Sequence, residues 1–224
     1  MFGTGKSAFI SSVATLFNED PRFPNKKLSP AFSRPSGVTV TSELKRYAFN
    51  NVTLDDTWGW EELRKLYTGL VFQLMLARKL VPSFKMDQAA SLNVLNIPAS
   101  SGSTAPVDLV LFFITCEAVE REAYLEQMEL HIKEAQSLNI PFLILLTQID
   151  KVEPSLKTNP YCANPTIQEL VSKVCSRIEL DESHVVPVVN YTKETERTWA
   201  MDRAAFVTLY RAFQRHEESR CSST

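Results

Sequence analysis

Three short apolar runs, set apart by charged helical stretches, constrain this chain more than any other feature. Val107 to Thr115, Ile140 to Leu146 and Val185 to Val189 are almost continuous in apolar and β-branched residues. A strand with one face in water alternates apolar and polar residues, whereas a strand covered on both faces does not. Glu117 to Leu138 and Thr166 to Ile178 lie between these runs and read as helices, and Trp199 to Arg215 reads as a closing helix. Buried strands alternating with helices predict an α/β fold: a mostly parallel, doubly wound sheet in three layers. Ligands in such sheets bind beyond the carboxyl ends of the strands. The residues that follow each run are therefore the ones to read for chemistry.

The first half of the chain is less regular. Residues 18–37 are polar and contain Pro21, Pro24, Pro30 and Pro35, which predicts a long surface loop. Val38 to Phe49 reads as a strand, and Val52 to Leu54 begins another after a turn at Asn50-Asn51. Trp60 to Val81 reads as a helix with Leu63, Leu66, Leu70, Leu74 and Met75 on its apolar side. Packing against the sheet explains that side; the alternative is a surface for self-association or a protein partner. Residues 82–105 resemble a linker. At 224 residues the chain suits one domain, over residues 1–216, with residues 217–224 as a disordered tail.

Composition removes several classes. A net charge of −2 lacks the basic excess of a general nucleic-acid binder. Cys116, Cys162, Cys175 and Cys221 form no Cys-x-x-Cys pair, which speaks against a zinc site. Cys116 and Cys175 lie in apolar surroundings and are expected as buried thiols, as suits a reducing, cytoplasmic setting. The start of the chain has no secretory pattern, and its most apolar run is too short to span a bilayer.

The chain opens Met-Phe-Gly-Thr-Gly-Lys-Ser. Gly5-Lys6-Ser7 matches the end of a phosphate-binding loop, Gly-x-x-x-x-Gly-Lys-Ser/Thr. Its first glycine, and the strand that leads into it, would fall before Met1. In such a loop successive backbone N–H groups surround the phosphates, and the following helix adds the positive end of its dipole. Gly3, Thr4, Gly5, Lys6, Ser7 and Ala8 are the expected cradle. Lys6 would reach the β- and γ-phosphates, and Ser7 would bind a magnesium ion that bridges them. Ala8 to Phe17 reads as the helix, with Phe9, Ile10, Val13, Leu16 and Phe17 at helical spacing. Only six glycines occur in the chain, so two of them within three positions stand out.

The strand ends add further polar groups. Asp56 and Gly59 form an Asp-x-x-Gly unit after the strand begun at Val52. The Asp of such a unit holds magnesium through water, and the Gly N–H meets the γ-phosphate. A plain Asp-rich turn is the simpler alternative. Upstream, Thr39, or else Thr41, could bind magnesium while a γ-phosphate is present; Thr39 is also the candidate catalytic residue. After Ile140 to Leu146 comes Thr147-Gln148-Ile149-Asp150. An Asp here can accept hydrogen bonds from guanine N1–H and the 2-amino group. Adenine offers no such pair, so a mismatch costs about 1–3 kcal/mol. Thr147 and Asp150 fit the pattern Asn/Thr-Lys-x-Asp; Gln148 stands where the usual Lys packs along the base, and can do part of this without the charge. After Val185 to Val189, Asn190 or Tyr191 would present a backbone N–H to guanine O6.

Taken in order, these elements resemble the P-loop GTPases over nearly the whole chain. More narrowly, Gly-Lys-Ser-Ala-Phe-Ile-Ser-Ser-Val, Asp-Thr-Trp-Gly, Leu-Leu-Thr-Gln-Ile-Asp and Val-Val-Asn-Tyr look like the interferon-induced protein 44 family of GTPase-like proteins. So does the closing Leu209-Tyr210-Arg211-Ala212-Phe213. The resemblance implies a P-loop NTPase fold, or G-domain, that lacks its N-terminal strand. It further implies cytoplasmic binding of GTP or GDP with Mg2+, and a role in immune response. Two positions depart from the family. Gln148 stands where Lys is usual, and Trp60 stands where many small GTPases place the Gln that orients water. Hydrolysis is then expected to be slow or dependent on a partner. The alternative is a GTPase-like interaction module without turnover. An ATPase is a third reading, against which Asp150 argues.

Overall fold

The computed structural model describes residues 4–17, 44–49, 51–57, 65–80, 106–191 and 197–222. The chain divides into two compact units. Residues 1–3 and 31–108 form the first unit, and residues 4–30 and 109–224 form the second.

In the first unit, β1 (Lys45–Phe49) and β2 (Val52–Asp56) pair as an antiparallel hairpin. Tyr47 faces Leu54 and Phe49 faces Val52, so the apolar side chains share one face. On the other face Arg46 and Asp55 are also opposite each other. Arg46 Nε and Nη2 donate to the two Asp55 oxygens at 2.7 and 2.9 Å. Such a fork-to-fork pair fixes the register of a two-stranded ribbon. Asp56 ends β2 and is buried. Helix α2 spans Lys65–Leu76, and its side chains are described from Val71 onward. Val71, Phe72, Leu74 and Leu76 are buried, so these residues belong to a core and do not form an open surface.

The second unit is built on a parallel three-stranded sheet. Its order is β3 (Val110–Thr115), β4 (Phe142–Thr147), β5 (Val185–Val188). All six residues of the central strand β4 are buried, as its unbroken apolar sequence requires. The first strand starts three residues later than its apolar run. Pro106 has no N–H to give, and the Val107 N–H is donated to the Leu76 carbonyl within the first unit. The ladder opens instead where Val110 N–H meets the Pro141 carbonyl.

Helix α1 (Lys6–Phe17) is buried continuously from Ala8 to Thr15. Its small residues carry hydroxyls that would be costly there without partners. Ser12 Oγ donates to the Ala8 carbonyl at 3.0 Å and Thr15 Oγ1 to the Ser11 carbonyl at 2.8 Å. Phe9 packs on Phe113 of β3 with ring centroids 5.7 Å apart. Helix α3 (Glu122–Ser137) is preceded by a 3₁₀ turn over Cys116–Glu120, where one longer helix is expected from the sequence. Thr115 Oγ1 accepts the Ala118 N–H and tightens this turn. Arg121 then takes an extended backbone, and the helix restarts after it. A one-turn helix, α4 (Ile149–Val152), follows β4. Helix α5 (Pro165–Ile178) begins with Asn164 accepting the Ile167 N–H and Pro165 in the first turn. Helix α6 (Trp199–Ser222) packs against α1 and continues seven residues beyond its expected end at Arg215. The helix therefore takes in most of the expected tail.

Charged side chains of α3 join it to α5. Arg177 of α5 reaches Glu122 and, at 2.8 Å, Glu129 of α3, with Glu126 at 3.9 Å. His131 is buried in the same helix, 3.8 Å from Glu134, and burial lowers its pKa from 6.5 to about 4. The unfolded chain therefore takes up a proton at His131 between these pH values and the folded chain does not. Stability from this residue is complete above pH 6.5 and is lost as pH falls toward 4. The expected loss is about 1–3 kcal/mol. Urea unfolding from pH 7 to 4.5 should show a steeper decline for the wild type than for His131→Leu. Parallel curves would place the titrating groups elsewhere.

Candidate functional site at the carboxyl edge of the parallel sheet

Register aligns the last residues of the three strands. Thr115 lies opposite Thr147, and Thr147 lies opposite Val188. The residues expected to contact nucleotide in this unit follow directly from that row, and the start of α1 meets it. Thr147 Oγ1 donates to the Thr4 carbonyl at 2.7 Å and lies 3.2 Å from the Ile114 carbonyl. Thr147 is fully buried, so this hydroxyl ties the loop before α1 to the end of the central strand.

Gly5 is the turn into the helix. Its carbonyl accepts the Phe9 N–H at 2.8 Å, the first bond of α1. Its φ of +91° is one that side chains rarely tolerate. A Cβ there would lie 3.2 Å from Asn190 Nδ2 and 3.5 Å from Thr147 Cβ and Cγ2. Glycine is required both by backbone angle and by the close approach of two strand ends. Lys6 and Ser7 follow as the first residues of the helix and are half-buried, while Thr4 and Ala8 are buried.

Gln148 adopts a left-handed backbone, φ 61° and ψ 28°, immediately after β4. This residue turns the chain into α4, where Lys151 N–H returns to its carbonyl at 3.0 Å. Ile149 is buried and anchors the turn, and half-buried Asp150 stands next to it. Cys116, one residue past β3, donates its Sγ–H to the Thr147 carbonyl at 3.5 Å. Burial, with the nearby Asp150 charge adding to it, pushes this thiol up to about 11, so it is neutral at physiological pH. Cys175 is pushed up to about 11 as well, mainly by burial. The described cysteines are all free, and Cys116 and Cys175 are buried.

Asn190 and Tyr191 hold the site together from the β5 side. Asn190 Nδ2 donates to the Gly5 carbonyl at 3.4 Å. Its Oδ1 is buried without a hydrogen-bond partner. Such an acceptor costs about 1–3 kcal/mol when left unsatisfied. Tyr191 is buried, and its backbone N–H donates to Ser12 Oγ at 3.0 Å. Its hydroxyl accepts the Thr198 N–H at 2.7 Å and lies 2.9 Å from the Asp202 carboxylate at the start of α6. Arg197 Nη2 bonds the other Asp202 oxygen at 2.6 Å.

Thr4, Gly5, Lys6, Ser7, Ala8, Thr147, Gln148, Asp150, Asn190 and Tyr191 thus belong to one unit and gather around one sheet edge. Asp56 belongs to the other unit. Gly3, Thr39, Gly59 and Trp60 lie outside the described residues. Sequence reasoning missed Ser12, Thr115 and Asp202. Thr115 had a visible signal, since it ends its strand as Thr147 ends the next. Ser12 had none, because a helical serine does not announce which loop N–H it will accept.

Among the described residues no group of acidic, His and Cys side chains is arranged to hold a metal, and no helix is long and apolar enough to cross a membrane. Compared with protein families, characterised proteins and solved structures, the chain matches none.

Proposed function

We propose that this chain is a cytoplasmic guanine-nucleotide-binding protein of the P-loop GTPase kind, close to the interferon-induced protein 44 family in type. The observation that carries the proposal is Gly5. It begins α1 at φ +91°, braced by Thr147 and Asn190 from the ends of two parallel strands. A helix start held rigidly at that edge, with Lys6 and Ser7 as its first residues, suits an anionic phosphate group. Lys6 would neutralise phosphate charge and Ser7 would hold Mg2+. Asp150 would select guanine through its N1–H and 2-amino donors, with Thr147 and Gln148 alongside. The orphaned Asn190 Oδ1 adds an acceptor for a ligand donor.

One observation favours looser guanine selection, as in an interaction module of the immune response. The Tyr191 N–H, a candidate donor to guanine O6, is already engaged by Ser12. Gln148 also lacks the positive charge usual beside the base.

Titration calorimetry with Mg-GTP and Mg-GDP tests the proposal. Binding is expected, and Lys6→Ala should weaken it about 10- to 100-fold, the worth of one charge-assisted contact. Unchanged affinity in Lys6→Ala would mean that phosphate is not held at α1.

A further inference from the structure

The outer face of α6 carries an apolar stripe. Trp199, Phe206, Tyr210 and Phe213 are 74%, 56%, 54% and 50% exposed. With Arg203 between the first two, they recur at alternating spacings of four and three residues, and Glu217 continues the series. This is the period of a helix that packs along another helix. An exposed run of four aromatic residues is unusual on a solvated surface and marks an interaction site.

We infer that this face pairs with the same face of a second copy of the chain, the two α6 helices running antiparallel. The charges on the stripe select both the partner and the direction. Arg203 lies near its amino end and Glu217 near its carboxyl end, with Phe206, Tyr210 and Phe213 between them. A parallel pair would set Arg203 on Arg203 and Glu217 on Glu217. An antiparallel pair sets Arg203 of each copy beside Glu217 of the other and Phe206 of each beside Phe213 of the other, with the two Tyr210 side chains meeting at the centre. That is the self-complementarity a two-fold interface requires.

The stripe is already ordered for this. Phe206 and Tyr210 stack, 6.5 Å between centroids and 12° from parallel. The Arg203 guanidinium sits 5.0 Å over the Trp199 ring and 4.9 Å over the Tyr161 ring. Tyr161 Oη donates to the Arg203 carbonyl at 3.0 Å, so Tyr161 widens the apolar surface beside the helix. A planar cation held between two rings keeps its edge for a carboxylate and loses little freedom on binding. The helix has 24 residues and is about 36 Å long, enough for a continuous two-helix contact. The inference uses no nucleotide and stands independently of the proposed function.

Sedimentation velocity on the full chain tests it, with circular dichroism to confirm folding of each variant. The wild type should dimerise in the micromolar range, and Phe206→Ser with Tyr210→Ser should be monomeric. Arg203→Glu and Glu217→Arg should each weaken the dimer about tenfold, the effect of turning two attractive contacts repulsive at an exposed rim. An equimolar mixture of these two single variants should recover dimer, because each end of the mixed pair again opposes unlike charges. Three results would overturn the inference: a wild type that stays monomeric to about 100 μM, well above the Kd of a standard-sized interface; a dimer indifferent to both charge reversals; or a monomer that binds lipid vesicles through the intact stripe.

Discussion

Gly5→Val is expected to lower the unfolding free energy by roughly 3–4 kcal/mol and to abolish nucleotide binding. Two costs add. The φ of +91° is outside the range a β-branched residue accepts, which accounts for about 1–2 kcal/mol. The side chain would also start 3.2 Å from Asn190 Nδ2 and 3.5 Å from Thr147, both fixed at strand ends, and overpacking such a site costs about 1–3 kcal/mol. Binding would fail for the same reason. To relieve the clash, the helix start must move away from the sheet edge, and Lys6 and Ser7 move with it. Urea unfolding measures the first effect and calorimetry the second. Gly5→Ala should fall between wild type and Gly5→Val. A change below about 1 kcal/mol in Gly5→Val would show that the turn at Gly5 is not the constrained element described.

Asp150→Asn is expected to reduce affinity for GDP about 100-fold or more and to create affinity for xanthosine diphosphate. The aspartate is acceptor-only, and guanine presents two donors, N1–H and the 2-amino group. An asparagine keeps one acceptor and replaces the other with an amide donor. Xanthine retains N1–H but carries a carbonyl at position 2, so its pattern fits the asparagine and opposes the aspartate. The exchange leaves side-chain size nearly unchanged. Asp150 stands at the second position of α4 beside buried Ile149, so little effect on stability is expected.

The parallel sheet was readable because its strands are buried on both faces and their apolar runs are unbroken. β4 shows this most clearly, with Phe142 to Leu146 apolar and every residue buried. The helix expected over Thr166 to Ile178 likewise matches α5 within one residue, and Asn164 and Pro165 supply its cap and first turn. Elsewhere, competing hydrogen bonds moved the boundaries. Val107 gives its N–H to Leu76 and stays out of β3. Thr115 caps a tight turn and interrupts the expected helix before α3. Thr4, Gly5, Lys6, Thr147 and Asn190 were legible as candidates because each stands in a motif or at a strand end. Their bracing was not legible: Asn190 supports the Gly5 turn through its side chain, and Tyr191 gives its N–H to Ser12. Those contacts depend on how closely α1 lies on the sheet, which no local pattern specifies. The α6 stripe was also hidden, because aromatic residues at helical spacing more often mark a core face.

One calorimetric series decides whether Asp150 selects guanine. Wild type and Asp150→Asn would each be titrated with GDP, ADP and xanthosine diphosphate at saturating Mg2+. Wild type should prefer GDP over both others, and Asp150→Asn should prefer xanthosine diphosphate. Equal affinity of the wild type for GDP and ADP, or an unchanged preference in Asp150→Asn, would contradict that selection.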